Sequence, residues 1–136
     1  MIDFINGASK DRYHKYTIPS GTKCSPPNNF FLYSANIQNG PDGIALWNPD
    51  GSVVEFISYE GQIEYEFYDM TSEDIGVQET SSTSKNESLQ KVGEGCQASD
   101  FKWNKKGTSR SSMGQINTGQ TLSCVRLAET ESEPEL

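Results

Sequence analysis

Long apolar runs, helical apolar periods and histidine are almost missing from this chain. No stretch approaches the roughly 18 consecutive apolar residues that a bilayer-crossing helix needs. No segment of ten or more residues keeps apolar side chains at helical spacing, which argues against a helical fold. A single histidine, His14, leaves one place for an imidazole base. No Gly-x-Ser-x-Gly turn occurs, so the nucleophile elbow of a serine hydrolase is excluded. No Cys-x-x-Cys pair occurs either, and a Cys/His zinc site would have to use all of Cys24, Cys96, Cys124 and His14. Apolar residues are only 33% of the 136 residues, so the core must be thin and filled largely by aromatic rings. Bases are outnumbered 11 to 19 by acids, for a net charge of −8. That balance argues against broad binding to a nucleic-acid backbone or an anionic membrane. The opening Met1-Ile2-Asp3-Phe4-Ile5 has neither the basic flank nor the apolar stretch of a signal peptide.

What is there reads as short strands between strong turn signals. Two strands are expected within residues 1–18, around Asn6-Gly7-Ala8-Ser9. Loop chemistry fills 19–29, and Phe30-Phe31-Leu32-Tyr33 reads as a short strand. The clearest element spans 43–59. Ile44-Ala45-Leu46-Trp47 and Val53 to Tyr59 flank Asn48-Pro49-Asp50-Gly51, which predicts a bulged β-hairpin. Residues 60–85 are acidic and polar, and read either as an edge strand over Ile63, Tyr65 and Phe67 or as a long loop covering the sheet. Strands are expected at 88–92, at Asp100-Phe101-Lys102-Trp103 and at 121–127. Residues 128–136 carry Glu129, Glu131, Glu133 and Glu135 without a base and read as a disordered acidic tail. The expectation is an all-β sandwich with long polar loops, one domain over 1–127.

Three cysteines allow one disulfide and a leftover thiol, or three buried thiols. Cys96 follows Gly93-Glu94-Gly95, and Cys124 lies in the last apolar run. Both fall near the closing strands, so Cys96–Cys124 is the expected pair, and Cys24 the less favoured partner. A disulfide would place the chain in an oxidising compartment, extracellular or lumenal. Asn86-Glu87-Ser88 is a glycosylation sequon in a polar stretch, which makes Asn86 a candidate modification site.

From residue 39 onward the pattern is specific. Asn39-Gly40-Pro41-Asp42-Gly43-Ile44-Ala45-Leu46 leads to Val53-Val54-Glu55-Phe56-Ile57-Ser58-Tyr59-Glu60-Gly61. Thr71-Ser72-Glu73-Asp74-Ile75-Gly76-Val77, Ser88-Leu89-Gln90, Asp100-Phe101-Lys102-Trp103 and Gly114-Gln115-Ile116-Asn117-Thr118-Gly119-Gln120 follow in order. The series resembles a lamin-tail domain of the kind found beside secreted nucleases and in other extracellular chains. The resemblance implies an immunoglobulin-like β-sandwich that binds or scaffolds and does not catalyse. Relative to the family, the opening strands before Ile2-Asp3-Phe4-Ile5 are lacking. A sandwich without them would expose sheet edges, which a partner chain could complete.

Candidate chemistry is sparse. His14, in Arg12-Tyr13-His14-Lys15-Tyr16, reads as an exposed strand histidine. The acids of 60–79, with Asp42 and Asp50, follow no calcium-loop spacing and read as a solvated face. Lys102, Lys105, Lys106 and Arg110 surround Trp103, but a core role for Trp103 outweighs nucleic-acid contact. Tyr59, Tyr65, Phe67 and Tyr68 crowd one region and are the candidate docking aromatics. No cofactor, metal or catalytic residue is expected. The expected function is a non-catalytic protein-binding or scaffolding module within a larger assembly. The alternative is an accessory substrate-binding domain of a secreted nuclease or other hydrolase.

Overall fold

The computed structural model describes residues 1–24 and 30–124. Its strands are β1 (Ile2–Asn6), β2 (Arg12–Tyr16), β3 (Asp42–Trp47), β4 (Val53–Tyr59), β5 (Glu64–Tyr65), β6 (Met70–Thr71), β7 (Glu73–Asp74), β8 (Glu87–Ser88), β9 (Lys91–Gly95), β10 (Phe101–Trp103), β11 (Ser109–Arg110) and β12 (Gln120–Leu122). Two single 3-10 turns, Glu66–Tyr68 and Ala98–Asp100, are the only helical residues among those described. The fold is all-β and sandwich-like.

The main sheet runs β2-β1-β3-β4-β7, antiparallel except for the β4–β7 pair. The turn between β1 and β2 is set by Asn6, whose Oδ1 accepts from the amides of Ala8 and Ser9. The β3–β4 hairpin forms as expected. Pro49 presets the turn, the Gly51 amide reaches the Asn48 carbonyl at 3.1 Å, and Gly51 takes the positive φ of 88° that closes the bulge.

Strand alternation splits the side chains of this sheet between two faces. One face carries Asp3, Ile5, Ala45, Trp47 and Phe56, against which Ile63 and Tyr65 pack from the 60–72 segment. That segment is therefore the covering loop, not an extended edge strand. Gly43 makes room for it, since a Cβ there would stand 2.7 Å from Ile63 Cδ1. Ser72 pins it down: its hydroxyl accepts from the Ile63 amide at 2.9 Å and donates to Ser58 Oγ at 2.6 Å. The opposite face carries Phe4, Ile44 and Ile57, toward residues 31–38 and the second layer.

The second layer is a β10-β9-β12 sheet beside the β8–β11 pair. Buried Gln90 joins these pieces, donating to Ser88 Oγ, the Arg110 carbonyl and Ser112 Oγ. The Cys96–Cys124 disulfide ties the end of β9 to the residues after β12, with Cα atoms 4.6 Å apart. Cys24 is a free, exposed thiol. Lys91 links the layers through an ion pair with Glu55 at 3.0 Å.

Two expectations need correction. Residues 31–33 are not a strand; the rings of Phe31 and Tyr33 pack on β1 and β2 side chains, and the backbone between 31 and 38 runs irregularly. The expected strand at 88–92 is two pieces, β8 and β9, interrupted at Leu89 and Gln90, where the Gln90 side chain is buried. The last strand is described over Gln120–Leu122; residues 125–127 and the acidic segment 128–136 lie outside the described residues.

At the centre of the main face lies a carboxylate. Asp3 is fully buried, and its Oδ2 accepts from Trp47 Nε1 at 3.1 Å and from the Tyr65 hydroxyl at 3.4 Å. Its Oδ1 meets the Arg12 guanidinium at 3.3 Å. Asp3→Ala orphans two buried donors, each costing about 1–3 kcal/mol. A loss of about 3 kcal/mol in denaturant unfolding is expected, with Arg12 staying hydrated at the rim. The disulfide closes a loop across a separation of 28 residues, so replacing Cys96 and Cys124 by serine should cost about 3.5 kcal/mol. Cys24→Ser should leave the denaturation midpoint unchanged.

Candidate docking surface

Beyond Trp47 the buried network continues outward as a ladder of rings. Phe56 meets Tyr65 edge-on at 6.3 Å, and Tyr65 meets Tyr68 edge-on at 5.0 Å. Tyr68 leans on Trp47 at 4.6 Å and holds Phe67 edge-on at 4.8 Å. Phe67 ends the ladder at 78% exposure, second only to Met113 among the large hydrophobics of the described residues.

The geometry follows from the local chain. Glu66, Phe67 and Tyr68 form a single 3-10 turn, closed by the Asp69 amide on the Glu66 carbonyl at 3.1 Å. Asp69 then takes a left-handed conformation, with φ 49° and ψ 48°, which a non-glycine residue adopts at a cost. The turn is anchored on both sides, since Tyr65 in β5 pairs with Met70 in β6. Phe67 therefore stands out from a fixed support. Beside it a hollow of about 630 Å³ is lined by Arg12, Lys15, Asp11 and Tyr68, a charged rim around an apolar knob.

The four expected docking aromatics separate. Phe67 and Tyr68 share the surface. Tyr65 is only 2% exposed and belongs to the core, because it faces Asp3 and Phe56. Tyr59 lies at the end of β4, half-buried, donating its hydroxyl to the Gln38 carbonyl at 2.6 Å. Sequence reasoning missed the supports, Asp3, Arg12 and Trp47. The usable signal was an acid in a short apolar strand, with a tryptophan and an arginine on strands able to flank it.

The other candidates are placed as follows. Asn86 is exposed, its carbonyl held by the Ser111 amide at 2.7 Å. Lys102 alternates away from Trp103 along β10; Lys91 stands over that ring instead, 5.5 Å from its centroid. Trp103 is half-buried rather than core, on an open slot of about 350 Å³ with Ile44, Ile57, Ile75 and Leu89. Asp42 is buried, one oxygen accepting from the Gly7 amide at 3.0 Å and the other without a partner. Asp50 caps the hairpin turn through Ser52, and Glu64 pairs with Lys10 at 2.7 Å. Among the described residues no three His, Cys, Asp or Glu side chains converge as metal ligands. No helix among them is long and apolar enough to cross a membrane. The edges of the main sheet are guarded: β2 carries Arg12, His14 and Lys15, and β7 is two acidic residues long.

Comparison of the chain with models of known families, with characterised proteins and with solved structures finds no match. The class that the fold defines is an all-β, disulfide-bonded, sandwich-like chain.

Burial pushes the Tyr65 phenol up to about 12, with the charge of Asp3 acting in the same direction. Tyr59 is raised further, first by burial and then by Tyr13 and Asp42. Up to about pH 9 both phenols keep their protons in the folded and unfolded chain. Above that the unfolded chain releases them first, so stability falls as pH rises through about 12. Ultraviolet titration of the six tyrosines should show a group of phenols that ionises only with unfolding.

Proposed function

We propose that this chain is a non-catalytic binding module of lamin-tail type that docks a protein partner through Phe67 and Tyr68. The single observation that carries the reading is Phe67, 78% exposed on a strained turn and braced by rings that run back to the core. An aromatic knob supported in this way matches the anchoring residues of interfaces, which are rigid and enter a pocket on the other side. The partner is therefore a protein surface with an apolar pocket, rimmed by groups that pair with Arg12, Lys15 and Asp11. The guarded sheet edges favour this knob over strand addition. The ordered lamin-tail-like motifs support the family reading, and the Cys96–Cys124 disulfide supports an oxidising compartment.

The test starts with a photo-crosslinking amino acid in place of Glu66, next to the knob, in the full chain added to an extract of its natural source. One partner should be captured that a crosslinker at exposed Val54 does not capture. With that partner purified, Phe67→Ala should weaken binding about 30-fold, the loss of about 2 kcal/mol that marks an anchor. The melting temperature should not move, and Val54→Ala should bind normally. Equal affinity of Phe67→Ala and the parent would overturn the reading.

A further inference from the structure

A second aromatic group lies on the other face of the main sheet, away from Phe67. Phe4, nearly fully buried, supports it from β1, with ring centroids 5.3 Å from His14 and 6.1 Å from Tyr33. The His14 and Tyr33 rings are nearly coplanar, 7° apart, and share a hydrogen bond of 2.6 Å between Nε2 and the hydroxyl. They form one flat aromatic surface about two rings long. Tyr16 stacks on Tyr33 at 4.0 Å and Phe31 adjoins Tyr16 at 6.2 Å, so the surface is held in place before any ligand arrives.

Beside these rings opens a recess of about 510 Å³. Tyr13, His14, Tyr33, Ser34, Asn36 and Gln38 line it. Its volume lies in the range of small-molecule sites. Its chemistry is narrower than its size. No Lys, Arg, Asp or Glu is among the described residues of the lining, so no permanently charged side chain faces a ligand there. Hydroxyl and amide groups supply the polarity, and these both donate and accept. Among the described residues the side chains of exposed Ser34 and Asn36 have no partner. Gln38 is the fixed member of the rim: its amide donates to the Tyr13 hydroxyl at 3.4 Å, and its carbonyl accepts from Tyr59.

A flat aromatic surface with a neutral, two-way hydrogen-bonding rim fits a ligand that is apolar on one face and hydroxylated around its edge. We propose that this recess binds a neutral saccharide, with one pyranose ring laid against the His14–Tyr33 surface and its hydroxyls reaching Ser34 and Asn36. A phosphate or a sugar acid finds no permanent counter-charge here. A purely apolar ligand would leave the rim unpaired. The site uses none of the docking surface, so it stands or falls independently of the Phe67 reading.

The full chain is titrated with maltose, cellobiose, lactose and chitobiose, followed by nuclear magnetic resonance of the His14 ring. Adenosine and glucuronic acid serve as a planar and a charged competitor. At least one neutral disaccharide should shift the His14 signals saturably. Asn36→Ala, on an exposed loop, and Tyr33→Ala should each weaken that binding about tenfold or more, and crosslinking from position 66 should be unchanged. If Tyr33→Ala does not fold, Asn36→Ala decides the matter. The proposal is overturned if none of the four sugars moves the His14 signals, if Asn36→Ala binds like the parent, or if adenosine or glucuronic acid binds more tightly.

Discussion

A buried carboxylate organises this protein. Asp3 sits in β1, with the edge strand on one side and the hairpin on the other, and touches a residue from each of its neighbours. Arg12 comes from β2, Trp47 from β3 and Tyr65 from the covering segment. A chain with 33% apolar residues has little hydrophobic area with which to fix the relative positions of these elements. A charge in a dry environment fixes them through direction, since each donor must point at one of two oxygens. The cost of burying the charge is offset only when all partners are present. That makes the arrangement cooperative, and it couples the sheet to the loop that covers it.

The same network shapes the surface. Trp47 and Tyr65, both bonded to Asp3, are the two rings on which Tyr68 rests. The exposed turn at Phe67 is thus one layer removed from the centre of the core. The covering segment is polar in sequence, yet Ile63 and Tyr65 enter the core and Ser72 fastens to Ser58. Its left-handed residues, Glu60 and Asp69, lie near its two ends. Strained backbone tends to persist where surrounding structure over-determines it and where function uses the fixed geometry.

Turn chemistry made much of the fold legible. Asn48-Pro49-Asp50-Gly51 specifies its hairpin locally, and Asp100-Phe101-Lys102-Trp103 alternates as a sheet strand should. The cysteine pairing followed from position alone. Where longer-range contacts decide, the sequence was silent or misleading. Phe30 to Tyr33 has strand composition, but Phe31 and Tyr33 satisfy their rings against Phe4, His14 and Tyr16, not through a ladder. Asp3 drew no reading of its own, because nothing local announces that a tryptophan 44 residues away will donate to it. The docking aromatics read as one group because they are close in sequence. Tyr65 and Phe67, two apart, end on opposite sides of the surface because a 3-10 turn begins between them.

The Trp47 indole proton tests this organisation most directly. Its exchange with solvent deuterium can be followed beside that of Trp103, whose ring is only half-buried. If the core is built on Asp3, the Trp47 proton exchanges only through global unfolding, and its rate responds to denaturant with the full unfolding slope. The Trp103 proton should exchange through smaller openings. Exchange of the Trp47 proton as fast as that of a free indole would contradict a core held together by the Asp3 carboxylate.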